Sequence, residues 1–463
     1  MIALAFVGTV VVLLGLIHLY IWWRLVRDTT RPGPLRRAGG IAALLLTLLV
    51  PATMIGTMGG VEQLSWLAWP GYLWIAVMFY LLVVLLVLEL PMLVARLTLR
   101  RQARRRTTVA APAADAMPVR VAVAEAGTAA QPAGPGEAPV PAGRDAEPGS
   151  PGDAPTDSAT GPADTGTSDG AAPPTGADRD GAAPDPQRRL LLARGAAIFA
   201  GLTAAGLTGY GVRTATGAPR IHRVPVPLAK LPRGMDGLRI ATVSDIHLGP
   251  LLGRAHTERI VAAVNRLDAD LVAIVGDLVD GPVAELGPAA EPLRDLRSRY
   301  GSYFVTGNHE YYAGVEEWVT ELDRIGLRVL QNERAEIRTP AGVLDLAGVN
   351  DVSADGVGVA AGPDYAAALA DRDPSRPVVL LAHQPVQAHE AARYGVDLQL
   401  SGHTHGGQIV PFNLLVRLEQ PVVSGLGEVD GTKLFVTNGA GFWGPPVRVG
   451  APPEVALVEL RAV

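Results

Sequence analysis

Residues 2–23 carry no acidic or basic side chain other than His18, and two more apolar runs follow at 40–59 and 71–94. Each is close to the ~20 residues that cross a bilayer as a helix. In lipid, backbone N–H and C=O groups can be satisfied only within the protein, so such runs leave little choice but membrane-spanning helices. Trp22, Trp23, Trp66, Trp69, Tyr72 and Trp74 fall near the ends of these runs, where amphipathic rings favour the interface. A cleaved signal peptide fits the start poorly, because there is no basic leading region and the apolar run is too long. A fourth stretch at 195–212, richer in Ala and Gly, is expected to span as well. The alternative for it is a helix of the soluble domain.

Arginine placement sets the expected orientation. Arg24, Arg27, Arg31, Arg36 and Arg37 lie between the first two runs, and Arg96, Arg100, Arg101, Arg104, Arg105 and Arg106 follow the third. Both clusters are expected on the cytoplasmic side. A fourth span beginning after Arg188 and Arg189 then carries the rest of the chain across, which makes this a multi-pass cell-membrane protein with an extracytoplasmic C-terminal domain. Without that span the domain is cytoplasmic. His18 and Glu89 lie near helix ends, where snorkelling is cheap, so an ion path is the weaker reading.

The expected division is 1–106 as a three-helix transmembrane region, 107–187 as a linker, 188–212 as a fourth transmembrane helix and 213–463 as a soluble domain. The linker holds fourteen prolines, and its acidic residues outnumber its arginines twelve to three. It has too little apolar surface to offset the entropy of ordering and reads as a disordered acidic tether. The net charge of −5 and the lack of a basic stripe exclude an evident nucleic-acid surface. With no cysteine in the chain, thiolate nucleophiles and thiolate metal sites are excluded.

The C-terminal domain alternates strand-like and helix-like segments. Apolar strands at 238–244, 270–275, 300–306, 378–382 and 397–401 each run into polar residues. These are Asp245 and His247, Asp277, Asn308 and His309, His383, and His403 and His405. Strand ends converge at one edge of an α/β sheet, where such folds place their sites. Five of the nine histidines fall at these ends. Glycine before Asp277, Asn308 and His403 is expected to let the backbone turn sharply. Oxygen and imidazole donors without thiolate suit manganese, iron or zinc. A carboxylate can bridge two cations and so support hydrolysis by a metal-activated water near neutral pH.

The series Asp245-x-His247, Gly276-Asp277, Gly307-Asn308-His309-Glu310, His383 and Gly402-His403-x-His405 resembles the full motif set of the calcineurin-like metallophosphoesterases. The segments around His403-Thr404-His405-Gly406-Gly407-Gln408 and Pro446-Val447-Arg448 look like the membrane-associated phosphodiesterase branch, which includes UDP-diacylglucosamine hydrolases. The resemblance implies an α/β fold, an αββα sandwich of two mixed sheets flanked by helices. It implies two divalent metal ions. Asp245, His247, Asp277 and His405 would hold the first, and Asn308, His383 and His403 the second, with Asp277 bridging. His309 would protonate the leaving oxygen or steady the transferring phosphoryl group.

The expected activity is hydrolysis of a phosphodiester or pyrophosphate bond by a membrane-tethered enzyme through a metal-bridging hydroxide. Lipid-linked and cell-envelope esters are among the candidate substrates. The alternatives are a phosphomonoesterase, acting on nucleotides or phosphoproteins, and a membrane sensor with an accessory esterase domain. Arg448 and Tyr311 are candidate substrate contacts, Glu310 a supporting or helix-start residue, and His222, His256 and His389 surface residues.

Overall fold

The computed structural model describes residues 2–58, 62–109, 186–358 and 360–463. The tether expected at 107–187 lies outside these residues except at its two ends. Residues 1–96 and 185–463 form one compact unit, and residues 97–184 a second. Among the described residues the second unit is the C-terminal end of one helix.

Among the described residues, four helices are long and apolar enough to cross a membrane. They are α1 (Ile2–Trp22), α2 (Pro34–Met58), α3 (Ala68–Val109) and α4 (Pro186–Ala215). Helices α3 and α4 cover their expected runs and extend past them, α3 by a further arginine-rich stretch, whereas α1 and α2 each end one residue short of theirs and α2 begins six residues earlier. A π turn, Trp23–Arg27, continues α1. There Arg24 pairs with Asp28 at 2.8 Å and with Glu89, and Tyr20 donates to Glu89. His18 Nε2 accepts from Trp74 at 3.0 Å. His18 and Glu89 are therefore both engaged by neighbours in the bundle.

The two ends of α4 are anchored differently. Arg194 Nε donates to Thr29 O at 3.1 Å, beside the arginine-rich turn between α1 and α2. Near the other end, Gly211 O accepts from Arg448 N at 3.0 Å. A Cβ on Gly211 would lie 2.4 Å from Val447, so only glycine permits this approach of α4 to the soluble domain.

That domain is built on twelve strands: β1 (Arg220–Leu228), β2 (Leu238–Val243), β3 (Leu271–Val275), β4 (Ser302–Val305), β5 (Arg328–Val329), β6 (Glu333–Thr339), β7 (Gly342–Gly348), β8 (Val378–Leu381), β9 (Leu398–Ser401), β10 (Gly425–Val429), β11 (Thr432–Val436) and β12 (Glu454–Ala462). One six-stranded sheet has the order β1-β12-β2-β3-β4-β5 and the other β10-β11-β9-β8-β7-β6. Both mix parallel and antiparallel pairs. Strand β1 holds Pro225 and Pro227, which cannot donate to a ladder, and it lies at a sheet edge.

Alternation of side chains builds the layers. Leu271, Ala273 and Val275 face inward with Leu381, Leu400 and Phe435 to form the core between the sheets. Val272 and Ile274 face outward against α5 (Arg254–Asn265), α6 (Val283–Ala290) and residues after them. The helix α7 (Asn308–Ala313) leads into α8 (Val315–Arg324), which adds Trp318 and Leu322 to this outer layer. On the second sheet, Val378, Leu380 and Ala382 pack outward against Tyr365, Ala368 and Ala391. The result is the αββα sandwich of two mixed sheets expected from the sequence. His256, expected at the surface, is instead 3 % exposed on the inner face of α5.

Candidate metal centre

The C-terminal ends of β2, β3, β4, β8 and β9 bring the candidate ligands together at one edge of the sandwich. Ligand atoms of Asp245, His247 and His405 lie within 4.8 Å of one another, as do those of Asp277, His383 and His403. A third grouping joins His247, Asp277 and His309 on the same terms. His405 Nε2 is 3.3 Å from Asp245 Oδ1 and 3.1 Å from His247 Nε2. His383 Nε2 is 3.1 Å from Asp277 Oδ2. His403 Nδ1 is 3.1 Å from Asn308 Oδ1. Asp245, His247, Asp277, His383 and His405 are buried, whereas Asn308, His309 and His403 are partly exposed and form the open side.

Backbone strain is concentrated here. Asp245, His247, Asp277, His403 and His405 all have φ between 50° and 67°. That left-handed region is unfavourable for side chains with a Cβ, and it persists where surrounding structure enforces it. Of the three glycines expected to provide turns, only Gly276 uses positive φ, at +82°. Gly307 and Gly402 provide room instead. A Cβ on Gly307 would sit 2.2 Å from Asp277 Oδ1, and one on Gly402 would sit 2.4 Å from Asp245 Oδ2. Asp277 passes Gly307 from the neighbouring strand β3, and Asp245 passes Gly402 from β2 of the other sheet.

Backbone donors fix the carboxylates. His309 N donates to Asp277 Oδ1 at 3.0 Å, and His403 N donates to Asp245. Glu310 is buried and accepts from the backbone of Gly307, Asp277, Leu278 and Val279, so it stitches the ends of β3 and β4 together. Its burial, then the Asp277 charge, push its carboxyl up to about 7.

Asp280 is a site residue that sequence reasoning missed. Its Oδ1 lies 2.7 Å from His247 Nδ1 and 2.8 Å from His309 Nδ1. One carboxylate thus orients two imidazoles and turns both Nε2 atoms toward the centre. The signal was an acid three residues after Asp277. Burial opposes ionisation of Asp280, but His247 outweighs it and brings the carboxyl to about 2. Burial also opposes a charged His309, yet Asp277 and Asp280 prevail and raise it to about 9.

Arg448 and Tyr311 are not where substrate contacts were expected. Arg448 is completely buried. Its guanidinium donates to the carbonyls of Gly441, His405, Asn438 and Ala451 and to His405 Nδ1, leaving nothing to offer a ligand. Tyr311 is buried against Val315 and Ala354, with its hydroxyl 2.7 Å from Thr306 Oγ1. The aromatics at the open side are the exposed Tyr312 and the half-exposed Trp443, 6.0 and 5.9 Å from the His309 ring.

The residues fit divalent cations. His247 Nε2 and His405 Nε2 face each other beside Asp245, and an imidazole lone pair there needs a proton or a metal between them. His383 Nε2 is buried and faces the Asp277 carboxylate at 3.1 Å, where a proton or a cation must lie between them. Burial, together with the Arg448 charge, keeps the His405 pKa well below its usual value, and burial holds His403 near 4. Both shifts favour the neutral ring that ligation requires, whereas Asp277 overcomes burial at His383 and raises it well above its usual value.

A sandwich of two mixed sheets with Asp, Asn and His donors at its strand ends defines an α/β domain with a candidate metal site. Residues 238–407 match the family model described as calcineurin-like phosphoesterase. The chain is 41 % identical over 272 residues to a Danio rerio transmembrane protein with metallophosphoesterase domain, covering 57 % of this chain and 62 % of that one. It is 40 % identical over 259 residues to an uncharacterized metallophosphoesterase of Helicobacter pylori, covering 55 % and 68 %. It is 36 % identical over 245 residues to one of Aquifex aeolicus, covering 52 % and 92 %. The matched segment spans less than two thirds of the Danio rerio relative and of a Bos taurus one. The chain belongs to the calcineurin-like metallophosphoesterases, and its four long apolar helices make it a membrane member of that family.

Proposed function

We propose that the protein is a membrane-tethered hydrolase of phosphodiester or pyrophosphate bonds that works with two divalent cations, manganese, iron or zinc. The observation that carries this reading is the double membership of Asp277, whose carboxylate belongs both to a cluster with His383 and His403 and to one with His247 and His309. Asp245, His247, Asp277 and His405 would hold one cation, and Asp277, Asn308, His383 and His403 the other. When bound, the cations supply Lewis-acid polarisation of phosphoryl oxygens and a lowered pKa for water.

The chain's own groups do the rest. Asp280 accepts from His309 Nδ1, which leaves His309 Nε2 on the side of the centre, 4.0 Å from Asp277 Oδ2. The raised pKa keeps a proton on that nitrogen at neutral pH, ready for the leaving oxygen. Tyr312 and Trp443 flank the ring and limit water on the open side. The arginine-rich turn between α1 and α2 and Arg194 lie at one end of the bundle, while the C-terminal end of α4 enters the domain. By the positive-inside rule this supports an extracytoplasmic domain in a multi-pass protein, where lipid-linked and cell-envelope esters are the accessible substrates.

The test is turnover of bis-aryl against mono-aryl phosphates by the full chain in nanodiscs, loaded with each metal in turn. Faster turnover of the diester is expected. Preference for the monoester would replace this reading with a phosphomonoesterase.

A further inference from the structure

Large exposed apolar side chains in the C-terminal domain are unevenly placed. Val410, Phe412, Leu414, Leu415 and Leu418 fall within nine residues, and Leu418 is 84 % exposed. Residues 409–416 include a single polar side chain, Asn413, and no charge, before Arg417 follows. Soluble surfaces rarely gather so much contiguous apolar area without something to cover it.

The position of this ledge says what covers it. Val410 N donates to Val449 O at 3.0 Å, and Ile409 and Val449 pack into the cluster that contains Leu207 and Val212 of α4. The ledge therefore starts where α4 enters the domain. Gln408, at its root, donates Nε2–H to Trp443 O at 3.0 Å and accepts from Trp443 N at 3.1 Å. The neighbouring Gly444 adjoins Tyr72 in the N-terminal part of α3, where Trp69, and Trp66 in the turn just before the helix, are exposed. Trp66, Trp69 and Trp443 thus gather around one end of the bundle, as interfacial aromatics do.

We propose that residues 410–418 are a second membrane contact, an apolar ledge seated in the leaflet from which α4 emerges, holding the open side of the metal centre at headgroup level. The occupant is lipid, because the ledge is continuous with a helix long and apolar enough to span. Arg417 is placed to meet lipid phosphate at the edge of the apolar run. The proposal rests on α4 being a span and is independent of the reaction catalysed.

The chain has no cysteine, so single-cysteine variants take one nitroxide each. Leu415→Cys and Leu418→Cys report the ledge, and Leu202→Cys, exposed within α4, reports the span. Arg338→Cys is the aqueous control. It lies on β6 opposite Val343, at the end of the sheet away from His383, and its side chain is 73 % exposed.

With the full chain in nanodiscs, the labels at 415 and 418 should gain oxygen collisions and lose nickel-chelate collisions relative to 338. The depth should be that of an interfacial helix, about 5–10 Å into the headgroup and acyl boundary. Nickel accessibility equal to that at 338, with Leu202→Cys lipid-exposed, would overturn the ledge alone. Water exposure at 202 would overturn the span and the ledge with it. Labels shielded from both reagents and broadened by a second label would mean a second copy covers the ledge, and would equally overturn the proposal.

Discussion

Arg448 Nη2 lies 3.0 Å from His405 Nδ1, and Arg448 Nη1 donates to the carbonyl of the same residue. A guanidinium has only donors, so His405 Nδ1 must accept, and the ring cannot carry two protons. A residue that resembles a substrate contact in the sequence therefore acts on a candidate metal ligand from behind. It also ties the site to α4, because its backbone N donates to Gly211 O in that helix.

Arg448→Met should therefore damage folding and metal binding together. The carbonyls of Gly441, Asn438, Ala451 and His405 would lose their buried donor. A buried acceptor left without its donor costs about 1–3 kcal/mol. A lowered Tm and a reduced bound-metal content are expected. An unchanged melt would show that the guanidinium contributes nothing net to the fold.

Asp277→Asn removes the one carboxylate shared between donor clusters while keeping its shape. Turnover and metal occupancy should fall together, read by a diester assay and elemental analysis of the same preparation. Near-normal turnover would sink the two-cation assignment.

Asp280→Asn separates orientation from ligation. Asp280 touches His247 and His309 through their Nδ1 atoms, on the far side from the centre. Partners of this kind typically account for about 10–100-fold in metal affinity or activity. Activity should drop on that scale, and raising metal concentration should recover only the part due to His247. Full recovery would mean that His309 needs no help from Asp280.

The strand ends were legible in the sequence because each short apolar run stops at a group of Asp, Asn, His and Gly, and local pattern suffices to see that. Strands β1 and β12 were not. Strand β1 carries two prolines and three charged or imidazole side chains, and its partner lies at the far end of the chain. Only the folded topology, which inserts β12 between β1 and β2, explains it. Asp280 escaped notice because an acid in a loop after a strand usually faces solvent. Arg448 was misplaced for the converse reason, since an arginine in a Gly/Pro-rich loop gives no hint of complete burial. The left-handed ligands were also invisible, because strain of this kind is imposed by packing across strands rather than by local propensity. His256 could have been read correctly, as it shares a helical face with Ile260 and Val264.

That histidine supplies a pH prediction away from the metal ligands. Burial, reinforced by Arg259 and then Arg448, lowers His256 from its ordinary 6.5 to about 4, and its Nε2 has no hydrogen-bond partner. A lowered pKa means the unfolded state binds the extra proton first. Stability is then full above pH 6.5 and is lost as pH falls toward 4. The shift corresponds to roughly 3 kcal/mol across that window. His256→Leu should flatten this part of the pH–stability curve, measured by denaturant unfolding of the full chain in nanodiscs at pH 7.5, 6, 5 and 4. Those pH values are chosen to bracket roughly the interval between the two pKa values. The variant's advantage should therefore grow as pH drops. A constant offset between the two proteins at every pH would assign His256 a packing role with no proton linkage.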